Sequence, residues 1–324
     1  MEGSRPGRLN IVNIFLILII LAMGVMLFAE SALIMAQSDL SLPFKKLSPI
    51  SNKVAVIYVE GTMVTDNVPE GFGYASSNNI IKSLRAAQED KSVKAIVLRI
   101  NSPGGTPVAA QEVYSQIEKT REVKPVVVSM GDLATSAAYY ISSPCDKIFA
   151  NPDTFTGSIG VIWVFENRSA YYNKEGIDYY VAKTGTYKDV GADWRGLNES
   201  EKQYVYNIIN ASNHHFISAV SEGRNIPVQV VEMLADGRVY TGDEAIALGL
   251  VDEIGSMYDA IDAAAKMGNI TGTPDITYMN EPSLYSLLFG EQSQGTALGY
   301  DNKFSDPAKP GGFYYSPYGR LYMI

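Results

Sequence analysis

The chain has 324 residues, 46% hydrophobic and 19% charged, a globular composition with room for one large core or two small ones. A net charge of −9 speaks against a nucleic-acid surface, which needs clustered Lys and Arg. The single cysteine, Cys145, excludes an intramolecular disulfide and a cysteine-rich metal site, and the only two histidines, His214 and His215, are adjacent and so cannot easily face one ion from one helix.

The first element is the uncharged run Ile11–Phe28, close to the shortest length that spans a bilayer. Arg5 and Arg8 precede it, while Glu30 and Asp39 follow. This asymmetry predicts a single-pass cell-membrane anchor with a cytoplasmic N-terminus and an extracytoplasmic body. A cleaved signal peptide ending near Ala36 is the rival, but Ile34 and Met35 make a poor small-residue cleavage site. Residues 1–36 are therefore read as N-terminus and anchor, and 37–52 as a linker.

From residue 53 strands and helices alternate. KVAVIYVEGTMV reads as a buried strand ending at Gly61, and SSNNIIKSLRAAQED as a helix capped by Ser77 or Asn78. KAIVLRI is a strand, NSPGG a turn and VAAQEVYSQIEKTREV an amphipathic helix. PVVVSM is a strand leading into GDLATSAAYY, where a helix is expected, and KIFAN is a short strand. Strands apolar throughout and separated by helices predict a parallel α/β core with surrounding helices. After about residue 190 the chain turns helical. Asn198 and Glu201 form a capping-box start for the segment that carries the histidines. IPVQVVEMLADG reads as a helix, and TGDEAIALGL as a short one stopped by Gly249. The body is assigned to 53–269. Residues 270–324, rich in Tyr, Gly and Pro towards their end, are assigned to a tail or packing arm.

Two glycine-bearing or small-residue turns could carry chemistry. In NSPGGTP, Gly104 and Gly105 follow a strand and precede a helix, so backbone N–H groups there could hold an oxyanion; a plain tight turn is the alternative. No Gly-Lys-Ser/Thr follows, so it is not a phosphate-binding loop. Ser136 opens the second turn. It is either small packing at a helix start or a nucleophile with the Ala137 amide beside it. With histidine nearly absent, a lysine is the natural base, provided its neutral form is favoured. KTGTYKDVG supplies Lys188, with Lys183 as the residue that could be confused with it.

The segments VEGTM, INSPGG, GDLATSAAYY with KIFANPDTFTGSIGVI, GTYKD, and DGRVYTGDEAIALGLVDEIG together resemble the SppA-type signal peptide peptidases, over about residues 53–266. The resemblance implies a Clp/crotonase-like fold and a serine peptidase with a Ser-Lys dyad. It makes Ser136 the nucleophile, Lys188 the general base, the amides of Gly104 or Gly105 and Ala137 the oxyanion hole, and Ser158 a hydroxyl that orients the lysine. It implies no metal and no cofactor. Its peptide substrates would be signal-peptide remnants or other hydrophobic segments. Its assembly would be a homo-oligomeric ring, an octamer among the sizes, with the dyad shared between subunits. Ala137-Ala138 stand where the family has Gly-Gly, which narrows the site and would strain it if either position needed φ > 0. The rivals are an NfeD-type membrane protease, a crotonase-type acyl-CoA enzyme and an inactive membrane scaffold.

Overall fold

The computed structural model describes residues 52–68, 73–280 and 321–322. Every described residue lies in one compact unit, Ser51–Ile324. Among the described residues no helix is long and apolar enough to cross a membrane. The expected anchor, residues 11–28, lies outside them.

The core is an eight-stranded sheet. Its main path runs β10 (Glu253–Ile254), β6 (Lys147–Ala150), β5 (Val126–Thr135), β4 (Val93–Ser102), β1 (Lys53–Glu60) and β11 (Asp275–Tyr278). Every pairing along that path is parallel. β7 (Phe155–Gly157) adds in parallel to the upper end of β5, and β9 (Val239–Tyr240) pairs antiparallel with β7. The expected parallel α/β core is thus present.

Both faces of the sheet are covered, which is why its strands read as unbroken apolar runs. Ala55, Ile57, Val59, Ile96, Leu98 and Val128 face one layer. That layer contains α1 (Ser77–Glu89), α2 (Pro107–Arg121), α3 (Ala137–Ser142) and the inner part of α5 (Glu199–Arg224). On the other face Val54, Val56, Ala95, Val97 and Val127 pack on Ala260, Ile261, Ala264 and Ala265 of α8 (Met257–Met267). The one-residue alternation along β1 splits its side chains between the two layers.

Several boundaries differ from expectation. α1 begins at Ser77 with Ser76 in the cap position, and the Ser76 side chain makes no cap bond. β5 does not stop at Met130 but runs on to Thr135, because β7 gives Leu133–Thr135 a second partner past the end of β6. The segment assigned to the tail still contributes to the body: β11 pairs with Lys53–Val56. β12 (Leu321–Tyr322) pairs antiparallel with β8 (Ile162–Trp163) of the same chain. The Asn198–Glu201 capping box and the stop at Gly249, φ +74°, match expectation. The remaining short helices are α4 (Ser169–Lys174), α6 (Val228–Leu234) and α7 (Gly242–Ala247).

Candidate active site

Three of the segments singled out above meet at the carboxyl ends of parallel strands, where open α/β sheets place their ligands. Gly104 follows β4, Ser136 follows β5 and Ser158 follows β7. The β4–β5 register sets Ser102 beside Ala134, after a shift between Ile100 and Ser102. Thr135 Oγ1 then donates to the Pro103 carbonyl at 3.0 Å, tying the two turns together. The Ser136 N–H donates to the Gly157 carbonyl at 2.8 Å, which brings the Ser158 backbone alongside.

Ser136 itself is strained and isolated. It sits at φ 55°, ψ −119°, a region L-residues rarely occupy, between the end of β5 and the first turn of α3. It is 0% exposed, and its Oγ has no hydrogen-bond partner. A buried orphan hydroxyl costs about 1–3 kcal/mol. Ala137 and Ala138 are fully buried and are absent from the positive-φ residues, so their methyls meet no backbone strain.

The two glycines divide their roles. The Gly104 N–H donates to Ser102 Oγ at 3.1 Å, and its carbonyl accepts from Met63 N–H at 2.7 Å. Thr106 N–H donates to the Met63 carbonyl at 2.9 Å. These bonds to the flanking residues form the parallel bridge between Met63 and Gly105, and they turn the Gly105 N–H away from β2 (Thr62–Val64). A Cβ on Gly105 would lie 2.0 Å from the Met63 carbonyl oxygen, so no side chain fits there. The Ala137 N–H is a first-turn amide of α3, and the first bond of that helix, from Tyr140 N–H, goes to the Ser136 carbonyl.

Ser158 is also left-handed, φ 49°, and 8% exposed. Its N–H donates to Arg238 and its Oγ to the Gly237 carbonyl at 3.4 Å. A cleft opens beside it, walled by Gly160, Ile162, Ile209, Asn213 and Gly237.

Lys188 sits on the turn segment between α4 and α5, exposed, and within this chain it makes no hydrogen bond to Ser136 Oγ. Lys183, the residue that could be confused with it, has its Nζ bonded to Asp189 Oδ1 at 2.6 Å and to the Thr186 carbonyl at 3.0 Å. His214 and His215 are exposed on α5. Sequence reasoning missed Asp189 and Arg195. Their signal was Arg195 standing just ahead of the capping-box Glu201, to which it is paired.

The profile of peptidase family S49 matches residues 118–271, and that of Clp protease matches 54–154. The Synechocystis protein slr0021 is 36% identical over 228 residues, 70% of this chain and 78% of that one. An Enterococcus faecium protein named after signal peptide peptidase SppA is 34% identical over 71% of this chain and 68% of its own. The chain belongs to peptidase family S49. It is a serine peptidase of the SppA-like kind, on a mixed α/β fold whose parallel-dominated sheet agrees with a Clp-like protease. Protease 4 of Haemophilus influenzae is 35% identical, but this S49 chain spans only 35% of that longer protein. An overlay on the 1510-N membrane-bound stomatin-specific protease, solved as a serine-to-alanine variant, gives a TM-score of 0.47 at 14% identity over 72% of this chain and 99% of that one.

Proposed function

We propose that this S49 peptidase is a membrane-anchored endopeptidase in which Ser136 is the nucleophile and Lys188 of a neighbouring copy is the base. The observation that carries this reading is the Ser136 hydroxyl: strained, fully buried and without a partner. Storing that cost at one hydroxyl is what a nucleophile awaiting a base and a carbonyl carbon requires. The exposed position of Lys188 supports delivery from another copy. So does the segment that leads to it, where Tyr171, Ile177, Tyr179, Tyr180 and Val181 are all exposed. A homo-oligomeric ring would bury them. The run at residues 11–28 would hold the assembly at the membrane, facing outward, where hydrophobic peptides and signal-peptide remnants arise.

The reaction follows. The neutral amine of Lys188 takes the Ser136 proton as Oγ bonds to the substrate carbonyl carbon. Negative charge collects on the carbonyl oxygen, opposite the Gly105 and Ala137 N–H groups. Gly105 is favoured over Gly104, whose N–H is already spent on Ser102. The Lys188 ammonium then protonates the departing amine as the C–N bond breaks; a water deprotonated by Lys188 attacks the acyl carbon, and the C–Oγ bond breaks as the ammonium returns that proton to Ser136 Oγ. Ser158 stands next to Ser136 and would orient the arriving lysine.

The test is fluorogenic-peptide hydrolysis by the full chain in detergent, with Ser136→Ala, Lys188→Ala and a mixture of the two. Each variant alone should be inactive. The mixture should regain activity, because some contacts then pair an intact serine with an intact lysine. Inactive variants whose mixture stays inactive after subunit exchange place both groups in one chain. Activity in Lys188→Ala removes it as base.

A further inference from the structure

The Lys188 turn has no helix or strand to hold it, and nearly every residue from Gly176 to Asp189 is exposed. Yet both neighbours of Lys188 are tied to one helix. Tyr187 packs on Tyr204 of α5, ring centroids 5.0 Å apart. Asp189 is clamped through Arg195. The Arg195 guanidinium donates to both Asp189 carboxylate oxygens, at 2.7 and 3.0 Å, and to the Asp189 carbonyl at 3.1 Å. Its other edge forks onto Glu201, at 2.6 and 2.8 Å. Glu201 is 1% exposed and also accepts from the Asn198 N–H in the capping box. Lys183 adds a second cation, on the Asp189 Oδ1 that Arg195 also holds.

A buried carboxylate paired with arginine is a poor way to gain stability, since desolvation consumes most of the attraction. Its fork geometry is a good way to fix a position. It has a second effect here. Asp189 is the residue next to Lys188, and an unneutralised carboxylate there would favour the ammonium, the wrong form for a base. Arg195 and Lys183 are the cations that bear on Asp189, with Glu201 behind Arg195.

We propose that Asp189, Arg195 and Glu201 are positioning residues that pin the Lys188 turn to the start of α5 and cancel the carboxylate charge beside the base. This rests on Lys188 being that base.

The test is the pH dependence of peptide hydrolysis by the full chain carrying Arg195→Met, with melting temperature and oligomeric size checked in parallel. kcat should fall at least about tenfold with KM within about twofold. The acid limb of kcat/KM should move up by about half to one pH unit, since Asp189 has lost a cation. Adding Asp189→Asn to Arg195→Met should return the limb towards the parent while kcat stays low. A purely structural staple would not move the limb. A folded, assembled Arg195→Met with parental kcat and limb overturns the clamp, as does a change confined to KM. If Arg195→Met does not fold, Lys183→Met on the exposed arm decides: the limb should move the same way, and an unmoved limb overturns the proposal. Lys188→Ala keeps the two readings apart. Activity there sinks the base, whereas an inactive Lys188→Ala beside a parental Arg195→Met sinks only the clamp.

Discussion

Ser136 and Lys188 are held by opposite means. Ser136 sits on a body built by apolar burial, with Ile57, Ile96 and Leu98 at 0% exposure and helices on both sheet faces. That packing is stiff enough to keep a serine at positive φ with its hydroxyl unbonded. Lys188 sits on an arm with little to bury, where Tyr180 is 97% exposed and the outer half of α5 buries only Glu201 and Val205. There, forked charges and ring pairs do what burial does in the body. A strained group needs a packed scaffold, whereas a group that must reach another molecule needs an exposed one held at a few points.

The largest test of this contrast is to remove each group in turn. Ser136→Ala and Lys188→Ala should each lower kcat/KM by at least about 10³-fold. Their effects on stability should differ in kind. Ser136→Ala removes an orphan hydroxyl from a buried site, so its urea midpoint should hold or rise, by up to about 1 kcal/mol. Lys188→Ala should leave the midpoint where it was, since the side chain is exposed. A Ser136→Ala chain that unfolds easily would mean that the hydroxyl is structural.

The same contrast explains what the sequence makes legible. The body's strands and helices are readable because burial writes long apolar runs and 3.6-residue periods. β7, β9 and β10 are too short to leave such a mark, and β11 lies where the pattern has faded. Gly104, Gly105 and Ser136 stand in strand-to-helix turns, and Ser158 in the turn after β7, all of which the order of elements brings to one edge. The orphaning of Ser136 Oγ, and the choice of Gly105 over Gly104, depend on which neighbouring group has already taken a bond. The Asp189–Arg195 pair is invisible to periodicity because it belongs to a segment with no regular structure.

Second in size is Gly105→Ala. Its methyl would collide with the Met63 carbonyl, backbone against backbone, so β2 and the turn cannot both stay in place. A loss of about 2–4 kcal/mol in chemical denaturation is expected, with activity falling alongside as the Gly105 N–H is displaced. A variant of parental stability would mean that the Met63 bridge is dispensable.

Acid should separate body from arm more gently. In the folded chain Asp189 and Glu201 titrate below the ordinary carboxylate range, Asp189 chiefly through its bonds to Arg195 and then Lys183, Glu201 chiefly through its bonds to Arg195. Carboxylates depressed in this way stabilise the fold above their unfolded pKa, and the contribution is lost as pH falls through the folded values. Urea midpoints should therefore decline below about pH 4–5. Arg195→Met should start lower at neutral pH and decline less steeply, so that the two curves converge in acid. Parallel curves would place the acid-sensitive carboxylates in the body.

The smallest effect should come from Gly185→Ala on the arm. Gly185 does not have a positive φ, and an added Cβ meets nothing within 4 Å. Its carbonyl accepts from the Lys188 N–H at 3.2 Å, a bond alanine can keep. The substitution restricts the unfolded chain slightly, so stability should stay level or rise by up to about 1 kcal/mol. In a dispersed chain, then, Gly185→Ala should be silent where Gly105→Ala is severe. The informative readout is activity in the assembled enzyme. If the arm docks tightly on a neighbouring copy, the extra methyl beside the Lys188 turn meets that copy, and kcat or the association constant falls although the monomer's own stability does not. If both are parental, the surface around Gly185 stays open in the working assembly, and the contact that delivers Lys188 must be made by its tyrosine neighbours instead.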